Sequence, residues 1–209
     1  MHIILFLKGF LIALIISLPL GPVGILCIRR TFLEGFVAGM ATTLGIALAD
    51  LVFATVTVLG LTMVKDHIQA HKNLLTFLGG LIILVFGFIL LKSDIKQPKK
   101  ADEDRSLVGE VITALLLTLS NPLTLLGFFA LFSFLNAITD YHGIDDILIL
   151  IGVFMGTTVW FGLLTVIATV LKKRFNMENL RWLNKMMGLL TISFGIFMIL
   201  KTLKSFLLR

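Results

Sequence analysis

Asp50 is the residue of this sequence best placed to do chemistry. It lies inside the apolar stretch Gly45-Ile-Ala-Leu-Ala-Asp50-Leu-Val-Phe, and we identify no other acidic residue that lies clearly within an apolar run. A carboxylate at membrane depth is costly unless it is protonated, paired or hydrated. We therefore expect Asp50 to carry a proton or to bind a substrate cation. The alternative is a neutral acid that only hydrogen-bonds a neighbouring helix.

Two other apolar stretches contain helix-breaking residues. Pro19, Gly21 and Pro22 interrupt the first stretch, and Asn121-Pro122 interrupts the fourth. Proline removes a backbone donor and clashes with the preceding turn, so we predict two broken helices. Backbone groups freed at membrane depth must be satisfied by protein or must line a polar cavity, which favours a substrate site at the breaks. The alternatives are a simple packing kink and an Asn121 side chain that only satisfies the freed backbone.

Two threonine pairs complete the set of candidate residues. Thr42-Thr43 lies in the second apolar stretch, and Thr157-Thr158 lies in the fifth. Because they occupy equivalent places in the two halves of the chain, we include all four as candidates for substrate binding or proton coupling.

Other kinds of chemistry find little support in the sequence. The histidines, at positions 2, 67, 71 and 142, fall at ends or in loops, so no intramembrane metal site is predicted. The single cysteine, Cys27, excludes an intramolecular disulfide. No Gly-x-Ser-x-Gly, His-Glu-x-x-His or Walker sequence occurs. We therefore expect neither an enzyme nor a bound cofactor, and no ATP-driven pumping.

The composition indicates a membrane protein. The chain has 209 residues, of which 58% are hydrophobic and 14% are charged, and its mean hydropathy is +1.05. A soluble domain of this size has too little interior to bury so much apolar surface. We predict six membrane-spanning helices in the apolar runs 3–28, 35–64, 74–91, 107–135, 147–171 and 186–200, and we read the first run as a retained span rather than a signal peptide.

The distribution of basic residues predicts the orientation in the membrane. The loops after the first, third and fifth runs hold the cations Arg29, Arg30, Lys92, Lys96, Lys99, Lys100, Arg105, Lys172, Lys173, Arg174, Arg181 and Lys185. The opposite side holds fewer, namely Lys8, Lys65, Lys72, Lys201, Lys204 and Arg209. The positive-inside rule then places both termini outside the cytoplasm. The net charge of +6 is thus explained by topology and lipid headgroups, and we do not expect nucleic-acid binding.

The two halves of the chain resemble each other. The third run contains Gly80-Leu-x4-Phe-Gly87, and the sixth contains Gly188-Leu-x4-Phe-Gly195. Each half thus has a broken helix, a threonine pair and a glycine-rich helix, in that order. Three spans per half require opposite orientations, which is the inverted repeat of many secondary transporters. We predict one transmembrane domain, 1–209, with repeats at 1–92 and 107–209 joined by a cytoplasmic linker at 93–106.

These residues together resemble the LysE/RhtB family of amino-acid exporters. The resemblance is carried, in chain order, by Pro19-Leu-Gly-Pro22, Gly35-x3-Gly39, Gly45-x4-Asp50, Gly60-Leu61, Leu78-Gly79-Gly80 with Phe86-Gly87, and Leu119-Ser-Asn121-Pro122. It implies a cytoplasmic-membrane exporter of amino acids or close derivatives that is driven by the proton gradient. It also implies functional roles for Asp50, Gly21-Pro22 and Asn121-Pro122. The second half lacks an acidic counterpart of Asp50, which leaves the particular substrate open.

Three other functions are weighed against amino-acid export. Efflux of a metal or other inorganic ion by a related fold is the first alternative, although it needs more ligands within the membrane than Asp50 and Cys27 supply. A membrane-embedded enzyme would need a catalytic pair, and a structural subunit would need no transport at all. The expected partners are a small-molecule substrate, protons and the lipid bilayer. A homo-oligomer is compatible with the sequence.

Overall fold

The protein is all helical in the part that the structure describes. The computed structural model describes residues 2–18, 21–63, 72–92, 106–135, 143–171 and 177–207. The helices in these ranges are α1 (His2–Ser17), α2 (Gly21–Glu34), α3 (Phe36–Met63), α4 (Lys72–Lys92), α5 (Leu107–Leu119), α6 (Pro122–Phe134), α7 (Ile144–Leu171) and α8 (Met177–Leu207).

Both predicted helix breaks lie where the sequence places them. Helix α1 ends at Ser17, and α2 begins at Gly21, whose φ of +49° is unfavourable for residues that carry a Cβ atom. Helices α5 and α6 meet at Asn121 with a bend of 67°. A further turn joins α2 to α3 at Gly35, which has a φ of +97°. Gly35 therefore serves a sharp turn between the two helices.

Several helices have the length and composition of membrane spans. Among the described residues, Phe36–Gly60 and Ile144–Leu171 are long and apolar enough to cross a bilayer, and the bent pair α5–α6 makes a third candidate. Large apolar side chains such as Val56, Leu59, Val159 and Leu163 are exposed on their outer faces, where lipid would cover them. The chain is thus a helical membrane protein, while the six crossings stay a prediction.

Close helix contacts hold the bundle together at glycines. Helices α4 and α8 run antiparallel, and a Cβ atom on Gly80 would lie 3.3 Å from the carbonyl oxygen of Gly195. In the same way, a Cβ atom on Gly188 would lie 3.1 Å from the carbonyl oxygen of Gly87. Small residues allow backbones to approach this closely in membrane helices.

Helix α3 lies at the centre of the molecule. It packs on α5, α6 and α7, and also contacts α2, while α1 packs mainly on α7. At Gly45 of α3, a Cβ atom would meet the backbone of Val111 in α5. At Gly152 of α7, a Cβ atom would meet the backbone of Phe6 in α1. These contacts place the middle of α3, and with it Asp50, between the two broken helices.

Candidate functional site

A cavity of about 410 Å³ lies where the two helix breaks meet α3. Its wall includes Asp50 from α3, Gly21 at the first break and Asn121 at the second. The remaining lining residues are mainly apolar: Ile15, Ile16, Ser17, Leu18, Val23, Ile46, Ile83, Thr118, Leu123, Thr124, Gly127, Leu131, Phe161, Leu190, Thr191, Ser193, Phe194 and Phe197. The cavity therefore brings together three of the residues that the sequence singles out.

Asp50 is buried and has an uncharged hydrogen-bond partner. Only 2% of its surface is exposed. The hydroxyl of Thr157 in α7 donates to Asp50 Oδ2 at 2.8 Å. No residue in the described part of the chain donates to the other oxygen, Oδ1, and Asp50 has no basic partner there. A buried carboxylate held by one hydroxyl can exchange a proton for a cation at little structural cost, because no ion pair has to break.

The side chain of Asn121 satisfies a backbone group at the second helix break, which is one of the two roles that the sequence suggested for it. Its side-chain Oδ1 accepts a hydrogen bond from the amide of Leu123 at 3.1 Å, which makes it the N-cap of α6. The amide nitrogen of its side chain donates to no residue in the described ranges and belongs to the cavity wall. Asn121 therefore caps the helix and also offers a donor to a ligand.

Two hydroxyl groups at the cavity differ in whether they have a described hydrogen-bond partner. Thr118 lies at the end of α5, and its hydroxyl donates to the carbonyl of Ala114 at 2.8 Å. Ser17 ends α1 and is 4% exposed, and its hydroxyl has no partner among the described residues. An unsatisfied buried hydroxyl costs free energy, so the Ser17 hydroxyl is suited to a polar ligand or a water molecule in the cavity.

The other sequence candidates lie outside the cavity or outside the described residues. Thr42 and Thr43 are buried in the N-terminal part of α3, away from the cavity lining. Thr158 donates to the carbonyl of Phe154 in its own helix at 2.7 Å. Pro19 lies outside the described residues, and so do the side chains of Pro22 and Pro122, although Pro122 opens α6.

A buried ion pair near the N-terminal end of α3 was missed by the sequence reasoning. Nε of Arg30 in α2 pairs with Oε2 of Glu110 in α5, and the two side chains are 3% and 1% exposed. Nη1 of Arg30 also donates to the hydroxyl of Thr42 at 3.1 Å and to the carbonyl of Glu110 at 2.9 Å. A charged pair buried this deeply depends on both partners, because losing one leaves an uncompensated charge.

Two sequence interpretations are corrected by this pair. Arg29 and Arg30 were counted as loop cations, yet both lie within α2, and Arg30 is buried. Glu110 was not recognised as an acid within an apolar run, yet it is buried in the first turn of α5. Glu110 lies within the fourth apolar run, where an acid at membrane depth needs a partner; this indicates that Glu110 is paired but not with which residue.

A hydroxyl and thiol cluster lies beside the ion pair. Sγ of Cys27 in α2 lies 3.4 Å from the hydroxyl of Thr165 in α7 and 3.7 Å from that of Thr43 in α3. The two hydroxyls lie 3.4 Å apart. This cluster, defined as Cys27, Thr43 and Thr165, joins three helices, and its three side chains are fully buried.

Comparison with known proteins identifies the family of this chain. The profile of the LysE type translocator family matches residues 14–202, which is most of the chain. The protein belongs to the LysE type translocator family. A membrane protein of Synechocystis sp. (strain ATCC 27184 / PCC 6803 / Kazusa), described as uncharacterized membrane protein slr1627, is 26% identical over 172 residues. That match covers 80% of this chain and 82% of the relative. No solved structure matches the chain.

Membership of this family gives the broad class of function. The resemblance to the LysE family that the sequence motifs indicated is confirmed. A translocator with exposed apolar helices is a membrane transporter, which agrees with the membrane protein to which the chain is similar.

Proposed function

We propose that this protein exports an amino acid or a close derivative across the cytoplasmic membrane in exchange for protons. The observation that carries the proposal is the cavity that joins Asp50 to both helix breaks. A volume of about 410 Å³ lies within the range of roughly 300–1,000 Å³ that is usual for small-molecule sites. An amino acid presents an ammonium group that suits Asp50 and a carboxylate that suits helix N-termini.

Exchange follows from having one carboxylate in the cavity. Asp50 can hold either a proton or a substrate ammonium, because both neutralise the same charge. A proton that arrives from outside would release the ammonium, and a new substrate from the cytoplasm would displace the proton. This competition couples export to the proton gradient without a second titratable group in the described lining.

Helix contacts support six crossings arranged as two inverted repeats. The repeated glycine motifs of α4 and α8 meet reciprocally, Gly80 against Gly195 and Gly87 against Gly188. Such reciprocal contacts are expected between elements related by a two-fold axis. The pairing of α1 with α7 is likewise matched by the pairing of α5 with α3. In this arrangement each broken helix, α1–α2 or α5–α6, serves as one crossing.

The N-terminal end of α3 is closed by the Arg30–Glu110 pair, and this closed end fits the same mechanism. Val23 lines the cavity, Cys27 lies about one turn further along α2, and Arg30 follows about one turn later. The Arg30–Glu110 pair therefore lies between the cavity and the side that the basic loops mark as cytoplasmic. In alternating access the helices around this pair would separate to admit substrate. Both termini would lie on the opposite side, outside the cytoplasm.

Transport by purified protein in vesicles tests the proposal. Proteoliposomes that contain the protein, with a pH gradient imposed across the membrane, should accumulate radiolabelled leucine, while protein-free vesicles should not. Asp50→Asn should insert normally and lose the gradient-driven movement, because an amide neither binds a proton at neutral pH nor balances an ammonium. Glu34→Gln is the matched control, since Glu34 is an exposed carboxylate at the end of α2.

Two outcomes would contradict the proposal. Unchanged transport by Asp50→Asn would remove Asp50 from the coupling mechanism. Overexpression that confers resistance to cadmium or a similar ion, with no movement of any amino acid by the purified protein, would favour inorganic-ion efflux instead.

A further inference from the structure

We infer that the transported substrate is an amino acid with an uncharged, apolar side chain. The inference rests on the proposed function, since it assigns a substrate class to the same cavity. Three features of the cavity carry it: the single ionisable side chain among the described lining residues, the apolar wall and the two helix N-termini.

The charge of the cavity selects against basic and acidic side chains. Asp50 is the one ionisable residue among the described lining residues. It can balance one ammonium group, so the second cation of lysine or arginine would be buried without a partner. The second carboxylate of glutamate would meet no cation in the described wall. Burying an unpaired charge is strongly unfavourable, so such substrates should bind more weakly.

Most of the described cavity wall is apolar. Phe161 from α7, Phe194 and Phe197 from α8, Ile83 from α4 and Leu131 from α6 all contribute to it. Phe161 and Leu131 are buried, with 3% and 1% of their surfaces exposed. An apolar substrate side chain gains free energy by leaving water for this wall, at about fourfold in affinity per methylene group.

The carboxylate end of the substrate fits the two helix breaks. Helix α2 begins at Gly21 and α6 begins at Pro122, so the N-termini of both half-helices face one cavity. Helix N-termini carry partial positive charge and bind anions; at α6 the first backbone amides already donate to Asn121, so this end acts through its dipole. Two buried polar side chains point to a ligand independently: the Ser17 hydroxyl, which has no described partner, and Asp50, whose Oδ1 accepts no hydrogen bond from the described residues. The Asn121 side-chain amide adds a further donor.

A ligand series tests the substrate class on the purified protein in detergent. Affinities of alanine, 2-aminobutyrate, norvaline and norleucine would be measured by isothermal calorimetry. We expect affinity to rise about fourfold with each methylene group. Lysine carries an ammonium at the end of a chain of similar length to norleucine, and we expect it to bind at least about tenfold more weakly. Norleucine methyl ester, which lacks the carboxylate, should also lose at least about tenfold.

A gain-of-function pair sharpens the test. Ser193→Asp adds a second carboxylate to the cavity wall in α8, next to Phe194, where the substrate side chain is expected to lie. It should raise the affinity for lysine relative to norleucine by about tenfold or more. Thr113→Asp adds the same group to α5 outside the lining, and it should leave that ratio unchanged.

The outcomes separate this inference from the proposed function. If lysine or glutamate binds as tightly as norleucine, or if the methylene series is flat, the inference is wrong while amino-acid export survives. If no amino acid binds or is transported, the proposed function itself fails. An unchanged ratio in Ser193→Asp, with a folded protein, would also overturn the placement of the substrate in this cavity.

Discussion

Two regions along α3, one at each end of its contacts with the neighbouring helices, hold similar polar residues that differ in their bonding partners. At one end Asp50 faces a cavity and accepts one hydrogen bond, from Thr157. At the other end Glu110 is paired with Arg30, and the buried Thr43 meets Thr165 and Cys27. One carboxylate is therefore available to a proton or a cation, whereas the other is committed to an arginine.

Aligning the two threonine pairs makes this comparison sharper. Asp50 follows Thr42 by eight residues, and Thr165 follows Thr157 by eight. In this alignment Asp50 corresponds to Thr165, and Thr157 corresponds to Thr42. The contact of Asp50 with Thr157 therefore corresponds to a contact of Thr165 with Thr42, and in the structure Thr165 contacts the next residue, Thr43. The same place holds a carboxylate in one half and a hydroxyl in the other. Related halves can therefore supply an exchange site at one end and a closed contact at the other.

Breaking the ion pair should have the largest effect on stability. Arg30→Leu would leave Glu110 buried without its partner, which typically costs about 3–5 kcal/mol. The double variant Arg30→Leu/Glu110→Leu should recover most of this loss, because no buried charge is left. Thermal unfolding in detergent measures both. Equal loss in the single and double variants would contradict a mainly electrostatic role for the pair.

Removing the hydroxyl partner of Asp50 should affect transport rather than folding. Thr157→Val deletes a hydrogen bond to a carboxylate, an interaction worth about 1.5–3 kcal/mol. The charged form of Asp50 is then less stable, so the KM for substrate should rise. Thr169→Val is the matched control, because that hydroxyl donates to the Thr165 carbonyl in its own helix. An equal change in KM for both variants would rule out a specific role for Thr157.

A smaller effect tests the alignment of the two halves. Gly195→Ala would press a methyl group to within 2.9 Å of the Leu84 amide nitrogen and 3.0 Å of the Gly80 carbonyl oxygen. Overpacking of this kind costs about 1–3 kcal/mol. Gly162→Ala meets nothing within 4 Å and should be neutral or slightly stabilising. If the melting temperatures of both variants match the wild type, the α4–α8 contact is looser than described.

The local features of the fold could be predicted from the sequence. Proline and glycine act on their own backbone, so the breaks at Gly21 and Asn121 are visible in the residues themselves. The repeated glycine motifs are also visible in the sequence, and they lie where α4 and α8 pack closely. Asp50 could be singled out because an acid within an apolar run has few neutral explanations.

The contacts between distant helices could not be predicted. Arg30 and Glu110 are 80 residues apart, and each stands near the end of its apolar run, where a charge resembles a loop residue. The partner of Asp50 among the four threonines depends on the register of α3 against α7. That register is set by packing around Gly39, where a Cβ atom would lie 2.7 Å from Thr165, and composition does not encode it.

Chemical labelling of Cys27 tests most directly whether the closed end opens during transport. Cys27 is fully buried beside the ion pair and is the only cysteine of the chain, so N-ethylmaleimide reports on this position alone, with Cys27→Ala as the blank. In proteoliposomes, norleucine together with a pH gradient should raise the labelling rate well above that of the resting protein, and Asp50→Asn should not respond. A labelling rate that stays at the resting level in vesicles that are actively transporting norleucine would contradict alternating access through this end.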